Sequence, residues 1–140
     1  MVDVLTPTQR SRNMSAIRSK NTRPELVVRR IVHAMGFRYR LHRADLPGRP
    51  DIVLARLSCV IFVHGCYWHM HNCRFGRVVA KTNAEFWRVK RQSNVIRDRH
   101  NLQKLRRAGW QPIIVWECSL RNTQRLSERL WSTLSKIREK

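Results

Sequence analysis

Apolar positions recur along this chain with two different periods. Val28, Ile31, Val32 and Met35 fall at i, i+3, i+4 and i+7, which predicts a helix with one buried face. Thr22-Arg23-Pro24-Glu25 reads as its start, with Thr22 as cap, Pro24 in the first turn and Glu25 completing a capping box; Gly36 reads as its C-cap. Phe37, Tyr39 and Leu41 alternate with Arg38, Arg40 and His42, the mark of a half-exposed strand with a basic outer face. After the Leu46-Pro47-Gly48-Arg49-Pro50 turn, Asp51 to Ala55 predicts a second strand. The unbroken apolar run Cys59 to Val63 predicts a central strand buried on both faces. Thr82-x-x-Glu85 reads as another capping box. It opens a long helix with Phe86, Val89, Val95, Ile96, Leu102 and Leu105 available for packing, closed at Gly109. Trp110 to Trp116 predicts a further buried strand, and Leu126, Leu130, Leu134 and Ile137 stripe a last helix. This order predicts an α/β fold around a mixed sheet.

The chain has 140 residues, enough for one core of ordinary size and too few for two. Residues 22–140 read as that domain. Residues 1–21 are polar and basic and read as an arm lying on a partner, or as a frayed terminus. Lys and Arg number 29 against 9 acids, a formal net charge of +20. Such an excess costs self-repulsion in the fold and points to a polyanion, nucleic acid ahead of a ribosome-like or membrane-surface partner. No apolar run approaches the ~18 residues of a membrane span, and the opening segment lacks a signal-peptide core. The expected compartment is therefore the reducing cytoplasm, where four cysteines favour metal or core roles over disulfides.

Ten residues, His64 to Cys73, hold five potential metal ligands. Cys66, His71, Cys73 and the distant Cys118 would fill a closed tetrahedral zinc site, tying an irregular loop to the end of a core strand; unmetallated thiols and surface histidines are the plainer alternative. Cys59, inside an apolar strand, reads as a core residue. His64 and His69 are then left over for proton transfer. Asp51 stands out because only it and Asp45 are acidic between Leu26 and Ala84. It can hold a hard cation such as Mg2+ together with the Val63 carbonyl, with His69 as base, or serve as a turn-forming residue after Pro50. Tyr67, Trp68 and Trp87 read as a wedge for DNA bases, whereas Phe86 reads as a cap on the core edge.

The segments RSRNMSAIRSKNT, LPGRPDIVL, CVIFVHGCYWHMHNC, EFW, NVIRDR and GWQPIIVWEC resemble the very short patch repair (Vsr) DNA mismatch endonucleases of bacteria, from about residue 10 to residue 120. The resemblance implies a restriction-endonuclease-like three-layer fold, a central mixed sheet flanked by helices with a zinc-stabilised loop. It implies a Mg2+-dependent nick in double-stranded DNA, 5′ to the thymine of a T·G mismatch arising from deaminated 5-methylcytosine, with zinc structural. By position, Asp51 is similar to the metal-binding aspartate and His69 to the general base. His64 and Asp98 resemble a supporting hydrogen-bonded pair, and Glu25 an acid that reaches a metal-bound water. Cys66, His71, Cys73 and Cys118 match the zinc ligands, Tyr67, Trp68 and Trp87 the intercalating trio, and Met14 the minor-groove arm. Tyr67 stands where Phe is familiar and Val63 where Thr is. Met70 and Asn72 interrupt a His-rich run, and no E-x-K motif follows Asp51. The resemblance further suggests a monomer in the bacterial cytoplasm, at the nucleoid, in contact with other mismatch-repair proteins. Two rivals remain: a zinc-stabilised DNA-binding protein without catalysis, and a nuclease whose His/Cys cluster is itself the catalytic metal site.

Overall fold

The computed structural model describes residues 21–139. The expected N-terminal arm, with Met14, lies outside the described residues apart from Asn21. The elements in order are α1 (Arg23–Ala34), β1 (Arg40–Leu41), β2 (Ile52–Leu54), β3 (Cys59–His64), α2 (Ala84–Arg107), β4 (Gln111–Trp116) and α3 (Thr123–Arg138). They form one four-stranded sheet in the order β1-β2-β3-β4. β1 and β2, and β2 and β3, pair antiparallel, whereas β3 and β4 pair parallel across the α2 connection.

Alternation along β2 and β3 sets the layers, because successive strand residues face opposite sides of a sheet. Ile52, Leu54, Cys59 and Ile61 join Val28 and Val32 of α1 and Leu126, Leu130 and Leu134 of α3 in one core. Val53, Val60 and Phe62 face the other way and pack with Leu105 of α2 in a smaller core. The arrangement is a helix layer, a mixed sheet and a second helix layer. Cys59 is fully buried in the first core, and burial pushes its thiol up to about 12, as fits an inert core residue.

The start of α1 follows the sequence pattern. Thr22 Oγ1 accepts from the Glu25 amide at 3.4 Å. The Glu25 carboxylate, however, accepts from the Asn21 amide at 3.1 Å instead of closing the box on Thr22. Gly36 ends the helix at φ +91°, a conformation costly for any side chain.

Three expectations fail. The strand expected at Phe37–His42 contracts to Arg40–Leu41, because Arg38 and Phe37 would fall opposite Ala55 and Arg56, where β2 has ended at Leu54 and given way to a 3-10 turn. Phe37 turns into the core beside Trp131, with ring centroids 6.1 Å apart, and Tyr39 donates to the Arg29 carbonyl at 3.4 Å. The box at Thr82 does not form either. Asn83 stands at the cap position with φ +52°, outside the extended region a capping side chain needs, and Glu85 pairs with Arg88. The predicted packing face of α2 is not a core face. Leu105 is buried and Leu102 half-buried, but Phe86, Val89 and Ile96 are exposed, Phe86 by 60%. Phe86 therefore does not cap the core edge. α2 runs well beyond the sheet it covers, and its N-terminal half meets the 65–83 loop instead of strands.

Candidate active site

The parallel register of β3 and β4 places His64 beside Trp116. Two residues past each partner come Cys66 and Cys118, which the register therefore delivers to one spot. The Cys118 amide donates to Cys66 Sγ at 3.4 Å, and Cys118 Sγ lies 3.6 Å from His71 Nδ1. One ligand atom each from Cys66, His71, Cys73 and Cys118 lies within 4.8 Å of the others. The His71 ring stacks on Trp116 at 4.1 Å, which fixes its plane. Burial works to raise the Cys73 thiol, but the Gly76 amide and hydrogen bonds from His71 and Cys66 bring it down to about 6. Burial pushes Cys66 up to about 12. Three thiols and an imidazole converging in this way form a donor set that a tetrahedral cation fits and that the loop does not otherwise need. The set expected from spacing is the set brought together.

A second cluster forms where β2 begins. Asp51 Oδ2 accepts from the Val63 amide at 2.7 Å. A strand residue presents its N–H and C=O to the same edge, so the Val63 carbonyl faces the Asp51 side. Glu25, 1% exposed on α1, reaches the same place, and ligand atoms of Glu25, His42 and Asp51 lie within 4.8 Å of one another. Glu25 Oε2 is 2.8 Å from His42 Nε2 and is also paired with Arg29. Burial raises the Glu25 carboxyl, yet the hydrogen bonds of His42 and Arg29 leave it below its usual value. Asp51 goes the other way. Burial and then the negative charge of Glu25 push it up to about 7, against the lowering bond from Val63. Two carboxylates held side by side, with a carbonyl at hand, fit a hard divalent cation.

The third cluster is His64, His69 and Asp98. Asp98 Oδ2 lies 2.6 Å from His69 Nδ1. The rings of His64 and His69 stack at 3.8 Å with 4° between their planes. The expected His64–Asp98 hydrogen bond is not formed. α2 presents Asp98 to His69, while His64, 7% exposed, keeps a buried Nδ1 without a partner. Burial, followed by repulsion from His69, drops His64 to about 4, so its ring is neutral at pH 7.

Asp51, Val63, His64, His69 and Asp98 all line one cleft of about 490 Å³. Its wall also carries Arg49 and Arg97. Gly48 makes room there: at φ +77°, a Cβ would come within 3.1 Å of Phe62 Cε1 and Asn101 Nδ2.

Next to His69, Tyr67, Trp68, Trp87 and Phe86 form a continuous aromatic chain, with successive centroids 5.2, 5.6 and 5.1 Å apart. Trp68 is 40% exposed. Spacing in sequence could not show that Phe86 belongs to this chain. Nor did it single out Arg91, a buried guanidinium whose Nε donates to the Tyr67 carbonyl at 2.7 Å and Nη1 to that of Val78 at 3.0 Å. Its Nη2 donates to the Gly76 carbonyl, and the group lies 4.0 Å over the Tyr67 ring. Among 29 lysines and arginines no local signal marks this one. His42 was likewise hidden in the alternating stretch, where it read as an outward-facing residue.

The DNA mismatch endonuclease Vsr family profile matches residues 2–75. The Type II nicking enzyme V.XorIIP of Xanthomonas oryzae pv. oryzae is 45% identical over 96% of this chain and 98% of its own. DNA mismatch endonuclease Vsr of Escherichia coli is 43% identical over 91% of this chain and 81% of its own. In structure, the catalytic domain of homing endonuclease I-Bth0305I superposes with a TM-score of 0.56 at 20% identity, covering 81% of this chain and 98% of that domain. That likeness shows a restriction-endonuclease-like fold. The profile and the near full-length relatives go further: this chain is a DNA endonuclease of the Vsr family.

Proposed function

We propose that this endonuclease acts as a monomer on double-stranded DNA and nicks it 5′ to the thymine of a T·G mismatch, using Mg2+ at Asp51 and Zn2+ in the Cys66, His71, Cys73, Cys118 loop. What carries the reading is the convergence of Asp51, Val63 and the His69–Asp98 pair on a single cleft beside an aromatic chain in which Trp68 and Phe86 are exposed. A base, a cation site and a base-stacking surface are the parts a mismatch nickase needs.

His69 takes the proton of the attacking water on Nε2. Asp98, bonded to Nδ1, holds the imidazole in the tautomer that leaves Nε2 free to accept and stabilises the ring once charged. Stacking against neutral His64 fixes the ring plane without adding a competing charge. Asp51 and the Val63 carbonyl would hold Mg2+, with Glu25 close by. When bound, Mg2+ supplies positive charge to the phosphate and the departing 3′ oxygen. Arg49 and Arg97 add fixed positive charge to the cleft wall for the DNA backbone. Tyr67, Trp68 and Trp87 wedge beside the mismatch, where base pairing is weakest and unstacking costs least. Zinc would brace the loop that carries Tyr67, Trp68 and His69.

Asp51→Ala should keep mismatch binding, measured by gel shift, while nicking with Mg2+ falls by about 1,000-fold, the loss of roughly 4 kcal/mol of transition-state stabilisation. Nicking at the wild-type rate would remove Asp51 from the mechanism. Wild-type protein that leaves heteroduplex whole with every divalent cation would leave only zinc-supported DNA binding.

A further inference from the structure

The Glu25, His42 and Asp51 cluster contains a nitrogen donor that magnesium chemistry does not call for. Mg2+ takes oxygens and keeps several waters, whereas imidazole suits the later divalent metals. His42 leaves the sheet edge at φ +48°, directly after β1, and its amide bonds back to the Asp51 carbonyl at 3.3 Å. That turn brings its Nε2 to 2.8 Å from Glu25 Oε2, on the side facing Asp51. The positive group now in the cluster is Arg29. Its Nη2 pairs with Glu25 and lies 3.4 Å from His42 Nε2, yet its Nε is buried with no partner. A guanidinium that neutralises the carboxylate but leaves its own donor unpaired is an imperfect fit to the place it fills. A compact divalent ion would satisfy Glu25, His42 and Asp51 together and free Arg29 to turn outward.

We propose that His42 is a nitrogen ligand of the catalytic cation in this chain, and that the site consequently binds manganese-class ions in preference to magnesium, with Arg29 as the cation they displace. The inference rests on the reading of Asp51 as the cation-binding carboxylate. On metal binding the His42 proton moves to Nδ1, leaving the Nε2 lone pair for the ion. Magnesium takes oxygens and gives up its waters reluctantly, whereas manganese heads the transition-metal series whose members accept nitrogen donors, so the His42 nitrogen supplies the preference.

The test uses zinc-loaded full-length protein titrated with Mn2+, with Mg2+ as competitor, followed by electron paramagnetic resonance. Wild type should bind Mn2+ at least ten-fold more tightly than Mg2+ and show 14N modulation in pulsed spectra. His42→Gln should lose both the modulation and the preference while still binding each ion through Asp51. Arg29→Met should tighten Mn2+ binding several-fold and keep the nitrogen signal, an arm that does not depend on His42→Gln folding. Bound Mn2+ without nitrogen coupling, coupling that survives His42→Gln, or weaker binding in Arg29→Met would each overturn the proposal. Equal Mn2+ binding by Asp51→Ala and wild type would instead sink the underlying reading of Asp51.

Discussion

The chemistry turns on which neighbour a few titratable side chains find. Asp98 could have served His64 or His69, and the two choices give different enzymes. Bonded to His69 Nδ1 at 2.6 Å, it orients that ring for the proposed role of base. His64 becomes a neutral plate beneath it, dropped to about 4 by burial. Asp98→Asn tests the assignment. An amide can donate to Nδ1, which favours the tautomer with its proton on Nε2, where the base must accept. Nicking should fall by roughly 100-fold to 10,000-fold, the range of a positioned general base, with mismatch affinity unchanged. A loss of affinity with intact turnover of bound DNA would make Asp98 a DNA contact. Asp51 was conspicuous in the sequence as a scarce acid, but its rise to about 7 comes from burial and then from the charge of Glu25 on another element, which only the fold supplies.

Among the elements, α2 does the least conventional work. It buries little of itself against the sheet and uses its N-terminal half to hold a loop. Arg91 binds three carbonyls of that loop, at Tyr67, Gly76 and Val78, and covers the Tyr67 ring. Asn94 adds a bond to the Trp68 carbonyl at 3.1 Å. The loop is thus clasped by the helix independently of any metal. Arg91→Met would leave those carbonyls unpaired and should lower urea stability by about 3 kcal/mol, less than three full penalties because an opened loop rehydrates them. It should also lessen discrimination of mismatched from matched duplex, since Tyr67 and Trp68 ride on the same backbone. Full stability in the variant would mean the carbonyls find water without cost.

For the whole molecule, the loop proposed to hold zinc lies outside the larger core. Cys59 is sealed inside the larger core, whereas Cys66, Cys73 and Cys118 converge outside it. Treating the native protein with a strong chelator should expose three thiols to a disulfide reagent and leave the fourth protected until denaturant is added. The same treatment should lower the melting temperature, because the irregular loop has no core of its own. Four reactive thiols in the chelated native protein would mean that the core opens with the loop; three thiols equally reactive before chelation would mean that no metal was holding them.

The sequence by itself determined the helical faces of α1 and α3, the buried β3 strand, the scarcity of acids around Asp51 and the four Cys and His side chains that converge at the loop. Each of these rests on local periodicity, or on residue types rare enough to stand out. It could not settle whether Thr82 caps a helix, whether Phe86 is core or surface, or that His42 and Arg91 matter at all. Those outcomes depend on what lies opposite a side chain, and opposition is fixed only when strands register and helices dock. The parallel pairing of His64 with Trp116 brings Cys66 to Cys118. The reach of α2 past the sheet turns a predicted packing face outward and puts Asp98 beside His69. Periodicity says which face of an element is apolar, and only packing says what that face meets.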